Sequence, residues 1–259
     1  MTAPGPASSE NVLYIPDVAS TRFYAGALAL LSVLQYFVAE AAVIGAWRGP
    51  EPYSRRTNLI SDLGAVGCGV FDGRDVCSPA HLLMNASFVV QGVGMMVGAV
   101  LLSSVLLGVA ARAGARILPV PGRLPPSRTA LAARLLSSTA GAGTVIVGLV
   151  PEDAGSDWHG AGAVMYFVAG SLALVVLGWL WLRQTALGWF ILVCGAVSLG
   201  AVVTAGVTGM AVPEPGTLER LMAYPITIGM AAAGLGVAQR VRSAAVSRER
   251  RGSEAGVRR

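Results

Sequence analysis

The side chains best suited to chemistry in this 259-residue chain are few and fall between long apolar runs. They are Glu40, Asn58, Asp62, Glu152, Asp153, His159 and Arg220, with His81 and the pair Cys68 and Cys77 beside them. Asp62 follows Leu59 and Ile60 and precedes Leu63, so its carboxylate sits at an apolar boundary. An acid there is costly unless it is paired or hydrated. Arg55, Arg56, Arg220 and His159 are its candidate partners, with Arg220 also a contact for an anion. Glu40 lies inside an apolar run, seven residues before Trp47, which places it roughly 10 Å below the helix end. It is either part of a site or a neutral, hydrogen-bonded acid. Glu152, Asp153 and Asp157 crowd the approach to Trp158 and His159. An acid there suits the first turn of a helix, and the same oxygens suit a divalent cation.

Asp62, His81 and His159 have the donor types of a zinc site with an open water position. That set resembles the membrane hydrolases of the alkaline-ceramidase type, which carry three histidines where this chain has two. No close pair of metal-ligand spacing is present. No cofactor is therefore expected, and a zinc-dependent lipid hydrolase stands as an alternative. Cys68 and Cys77, nine residues apart, are expected to form a disulfide in an extracytoplasmic loop. Cys194 reads as an apolar thiol within a span.

These groups must be held by membrane helices. The chain is 54% hydrophobic and 13% charged, with mean hydropathy +0.64. A soluble domain typically carries about 25% charge. Six apolar runs, at about 23–47, 80–110, 130–150, 159–182, 187–210 and 219–241, each approach or exceed the ~20 residues that cross a bilayer. The expected fold is all-α, a six-transmembrane-helix bundle over 23–241. A tail at 1–22 and an Arg-rich tail at 242–259, read as disordered, flank it. Every cation is arginine, 19 in all. Fourteen fall on the side of the two tails and of the proline-rich linker bearing Arg112, Arg116, Arg123 and Arg128; five fall on the other side. The positive-inside rule then places both termini in the cytoplasm and the polar cluster outside, in the cell membrane. The basic balance is topological, and no nucleic-acid partner is expected. Trp47, Trp158, Trp179, Trp181 and Trp189 lie near span ends, as interfacial anchors do. Gly94 and Gly98, and the glycines of the last two spans, allow close helix approach. They serve packing within the bundle or a homo-oligomer.

The run Y-S-x-x-x-N-x-I-S-D-L-G at 53–64, then S-P-A at 78–80 and Asn85, resembles a prokaryotic membrane family known as domain of unknown function 998. Gly148, Pro151, Glu152, Asp153, His159 and Gly160 are similar to its G-x-x-P-E-D…H-G segment, and Glu219-Arg220 to its E-R pair. The I-S-D segment is also similar to Frag1/DRAM-type six-span proteins. The resemblance implies a six-helix membrane fold and no established activity. The function expected is binding or sensing of a small ligand, lipid headgroup or ion at the outer cluster, with membrane lipids as partners. A lipid hydrolase or a small transporter is the alternative.

Overall fold

The structure is a computed structural model that describes residues 12–14, 20–109, 116–118 and 127–257. Six helices are long and apolar enough to cross a membrane: Thr21–Gly45, His81–Leu101, Arg128–Leu149, Trp158–Trp181, Ala186–Thr208 and Pro215–Ser247, here the first to sixth spans. Each neighbour in sequence packs against the next, and the sixth returns to the first, so the spans close a ring; the fourth also touches the sixth across it. The helix starts are written locally. Ser20, Ser127 and Thr185 accept hydrogen bonds from the backbone at Arg22, Ala130 and Leu187, satisfying donors that have no partner within the helix. Gly209, at φ 59°, closes the fifth span in a left-handed turn.

Glycines set the spacing between helices. Gly92 lies against the carbonyl of Gly141, Gly143 against that of Gly162, and Gly94 against that of Ala29. Gly98 meets Leu30, and Gly234 meets the carbonyl of Ala27. A side chain at any of these positions would push two helices apart, so these small residues serve packing within the bundle. Gly200 and Gly206 differ, with nothing opposite them.

Three expectations are corrected. The second apolar run is not one helix: it breaks at Leu102, where the backbone is extended, and resumes as Ser104–Val109. Arg22 donates to the carbonyls of Val100 and Leu101, and Arg134 to those of Ala99 and Val100. Two cations thus take up the carbonyls that the helix end leaves free. The C-terminal tail is helical, since one helix runs over Pro215–Val257. Its Ala, Arg and Glu content extends a helix already nucleated by the sixth span. Trp181 and Trp47 are not interfacial anchors. Trp181 is fully buried and donates to the carbonyl of Leu107, while Trp47 packs edge-on against Tyr53. Trp158, Trp179 and Trp189 are exposed, as anchors should be.

Candidate functional site

At the bundle end opposite the termini, the segment joining the first two spans folds over the ring mouth. Its centre is one tight helical turn, Ser61–Gly64, with Asp62, Leu63 and Gly64 buried. Asn85 and Ser78 hold that turn from the second span and its approach, donating to the carbonyls of Gly64 and Leu63 at 2.9 and 2.7 Å. Beyond it, strands Gly69–Phe71 and Arg74–Val76 pair antiparallel, and the Cys68–Cys77 disulfide closes the hairpin at its base. The hairpin turns on Asp72 and Gly73, both with positive φ, the conformation that Asp-Gly supplies.

Two ionic knots pin this lid. In the first, Arg220 of the sixth span meets Glu40 of the first, with Nη2 and Nε at 3.0 and 3.2 Å from Oε1. Tyr224 donates to the same carboxylate at 2.7–2.8 Å. The remaining guanidinium hydrogens go to the carbonyls of Arg55, Asn58 and Gly216 and to the Tyr53 hydroxyl. Both charges are buried, and every donor of the fork is used, the condition under which a buried pair is tolerated. Arg220 therefore has no donor to spare for an anion. Asn58 contributes backbone to this knot, while its side chain accepts from the Ser54 amide at 3.0 Å.

The second knot is built on Asp62, and its partner is Arg74, not Arg55, Arg56, Arg220 or His159. Arg74 Nε lies 2.9 Å from Asp62 Oδ1, and the Leu59 amide donates to Oδ2 at 2.8 Å. Arg74 also reaches Glu152 at 3.5 Å and Asp72 at 3.2 Å. Glu152 holds a second carboxyl against Asp62, and its Oε1 is buried with no hydrogen-bond partner among the described residues. Burial, then the bond to Asp62 and its charge, push the Glu152 carboxyl up to about 9 against the opposing pull of Arg74. Asp153 does not cap the fourth span. It accepts from the amides of Val66 and Gly67 at 3.0 and 2.6 Å, tying the 150–157 loop to the lid. Nor does Asp157, which makes no side-chain cap; the Ser156 hydroxyl accepts from the Trp158 amide instead.

Between the knots lies a third group. Ser61 Oγ is 3.1 Å from Glu219 Oε1 and 3.3 Å from His159 Nε2. His159 Nδ1 lies 2.7 Å from the Val150 carbonyl, which can only accept, so Nδ1 carries a proton, and when the ring is neutral Nε2 is an acceptor. Glu219 also receives the Ile60 amide on Oε2. Beneath it sits an interior cavity of about 30 Å³, lined among others by Ser61, Glu219, Tyr36, Gln91 and Tyr166. That holds roughly two waters, far too small for a lipid. The Tyr36 hydroxyl, on its wall, is buried without a hydrogen-bond partner among the described residues.

The residues singled out from sequence thus converge on the lid, but as three groups and not one. His81 stands apart from them, its Nδ1 3.0 Å from the Ser78 carbonyl. Among the described residues no three His, Cys, Asp or Glu side chains are grouped to hold a metal. Among the described residues Asp62, His81 and His159 are not gathered about one point, nor are Glu152, Asp153 and Asp157. Of the residues that complete these groups, Arg74 and Tyr224 were missed from sequence, and Tyr53, Ser61 and Glu219 entered only as parts of the family-like motifs. The Asp-Gly turn between the cysteines was the available signal for Arg74, since it folds residue 74 back over Asp62.

Residues 119–236 match the family model described as Protein of unknown function (DUF998), as the motifs imply. The matched stretch contains the third, fourth and fifth spans and the first part of the sixth; the 53–64 motif precedes it. No curated protein and no solved structure matches the chain.

Proposed function

We propose that this membrane protein responds to protons at an outward-facing mouth, where protonation sets how the lid is held on the bundle. One observation carries the reading: the Ser61 hydroxyl, with one hydrogen to give, lies within reach of both Glu219 Oε1 and His159 Nε2, which are both acceptors when the carboxyl is ionised and the ring neutral. It satisfies one of them at a time. One added proton completes the chain. On Glu219 it gives a run of donors from Glu219 to Ser61 to His159; on His159 it reverses the run. Without that proton, one contact in a half-buried site sets lone pair against lone pair, a cost comparable to a lost hydrogen bond.

The surroundings supply the bias. Glu219 faces Asp62 from the lid and Arg220 from its own helix, and His159 faces Asp153. Glu152, one oxygen of which has no hydrogen-bond partner among the described residues, adds a second carboxyl to Asp62 there. Ser61 belongs to the lid, Glu219 to the sixth span and His159 to the fourth, so the proton couples the lid to two helices. The distribution of arginine, fourteen of nineteen toward the termini, supports an outward mouth in the cell membrane, and so does the disulfide in the lid.

Hydrogen–deuterium exchange of the purified protein tests this, followed over 53–67 between about pH 5 and about pH 9, where histidines and buried carboxyls titrate. After correction for intrinsic rates, acidification should raise protection at Leu59 and Ile60. Glu219→Gln keeps an acceptor for Ile60 and adds a permanent donor toward Ser61, so it should hold the protected state throughout. Protection in the wild type that does not change with pH, or a Glu219→Gln protein that titrates like it, would overturn the reading.

A further inference from the structure

A second feature lies on the outside of the ring, away from the lid chemistry. The fifth and sixth spans leave between them, on the outer side, a groove of about 380 Å³. Its walls are apolar and include Phe190, Val197, Leu221 and Ile228, each exposed on the perimeter of the bundle. The sixth span carries Pro225 in this wall, so the Leu221 carbonyl beside it lacks its helical donor. Its sixth-span wall runs from Thr217 to Ile228, eleven helical steps or roughly 16 Å at the helix rise, and its fifth-span wall from Phe190 to Val197, in the half of that span farther from the mouth.

Cations stand at its mouth end. Arg56 is neutralised by Glu214. Arg55 is not: its carbonyl is held by Arg220, which fixes the backbone, while its exposed guanidinium has no partner among the described residues. The groove thus pairs an apolar slot with an unspent cation at its mouth end.

We propose that this groove holds an anionic phospholipid of the surrounding bilayer, an acyl chain along the fifth and sixth spans and the phosphate on Arg55. The occupant follows from position and charge. The walls present exposed apolar side chains on the perimeter of a membrane bundle, which suit an acyl chain, and an anion complements Arg55.

Native mass spectrometry of the full chain, released from nanodiscs of mixed phosphatidylglycerol and phosphatidylcholine, tests the assignment. The wild type should retain phosphatidylglycerol in preference. Arg55→Gln should cut that preference about fivefold, the ratio that one contact between an arginine and an anionic surface confers. Val197→Trp, which fills the slot, should lower retention of both lipids while thermal unfolding stays within a few degrees of wild type. Equal retention of the two lipids by the wild type would overturn the proposal, as would unchanged retention in Val197→Trp. So would a Val197→Cys protein that crosslinks to a second copy in the bilayer, because protein and not lipid would then cover this face.

Discussion

Arg220 and Glu40 are 180 positions apart in the chain and 3.0 Å apart in space. The pair ties the last span to the first, and through the carbonyls of Arg55 and Asn58 it ties both to the lid. Removing the cation strands a buried carboxylate and three carbonyls. Arg220→Ala should therefore cost roughly 3–5 kcal/mol. Glu40→Gln keeps an acceptor for Tyr224 and for the guanidinium, and should cost less. Lysine at 220 should not rescue, because one ammonium cannot replace the five-donor fork. Thermal unfolding in detergent reads all three; equal loss in Arg220→Ala and Glu40→Gln would show that the fork is not what holds the lid.

The disulfide and the Asp62 knot should act as one unit. Arg74 reaches Asp62 from a hairpin that Cys68 and Cys77 close. Opening the bridge frees the hairpin, and Arg74→Ala removes its grip, so either change forfeits the same contact. The double variant Cys77→Ser with Arg74→Ala should be less destabilised than the sum of the singles, by on the order of 1 kcal/mol. Strict additivity in unfolding experiments would separate the two.

The sequence carried the bundle further than the site. Apolar run length found all six spans and set both ends of four of them to within two residues, because only helices satisfy their own backbone in lipid. It misplaced the end of the second span and the nature of the C-terminal tail. Both depend on contacts that hydropathy does not see: Arg22 and Arg134 on free carbonyls, and helical propensity carried on from a preceding span. For the site, residue type pointed to Glu40, Asp62, Glu152, His159 and Arg220, yet pairing was not legible. Asp62 and Arg220 both lie near the mouth, but each is claimed by another partner, Arg74 and Glu40. Which charge meets which is decided by the fold of the lid, a tertiary fact. Ser61 and Glu219 carried no signal as a pair, since 158 residues separate them.

Glu152 gives the protein a definite pH response. Its carboxyl is pushed up to about 9 from an ordinary 4.5. Between those values the folded state holds a proton that the unfolded chain releases. The unfolded state then binds fewer protons, so stability falls as pH rises through this window. Glu152→Gln, neutral at every pH, should remove that component and flatten the decline in melting temperature above pH 7, with little change in acid. A slope identical to wild type would show that Glu152 stays ionised beside Arg74.

Close helix approach makes the last prediction. A methyl group at Gly92 would meet the Gly141 carbonyl and Val145, whereas one at Gly200 would meet nothing within 4 Å. Both positions are helical, so intrinsic propensity favours alanine equally at each, by up to about 1 kcal/mol. At Gly92 that gain is opposed by overpacking, typically about 1–3 kcal/mol, because the neighbour is backbone and cannot swing aside. Gly92→Ala should therefore lower the melting temperature and Gly200→Ala leave it unchanged or raise it slightly. If Gly200→Ala is instead the damaging change, something must pack on that open face in the bilayer, and chemical crosslinking from position 200 would identify it as a second copy of the chain.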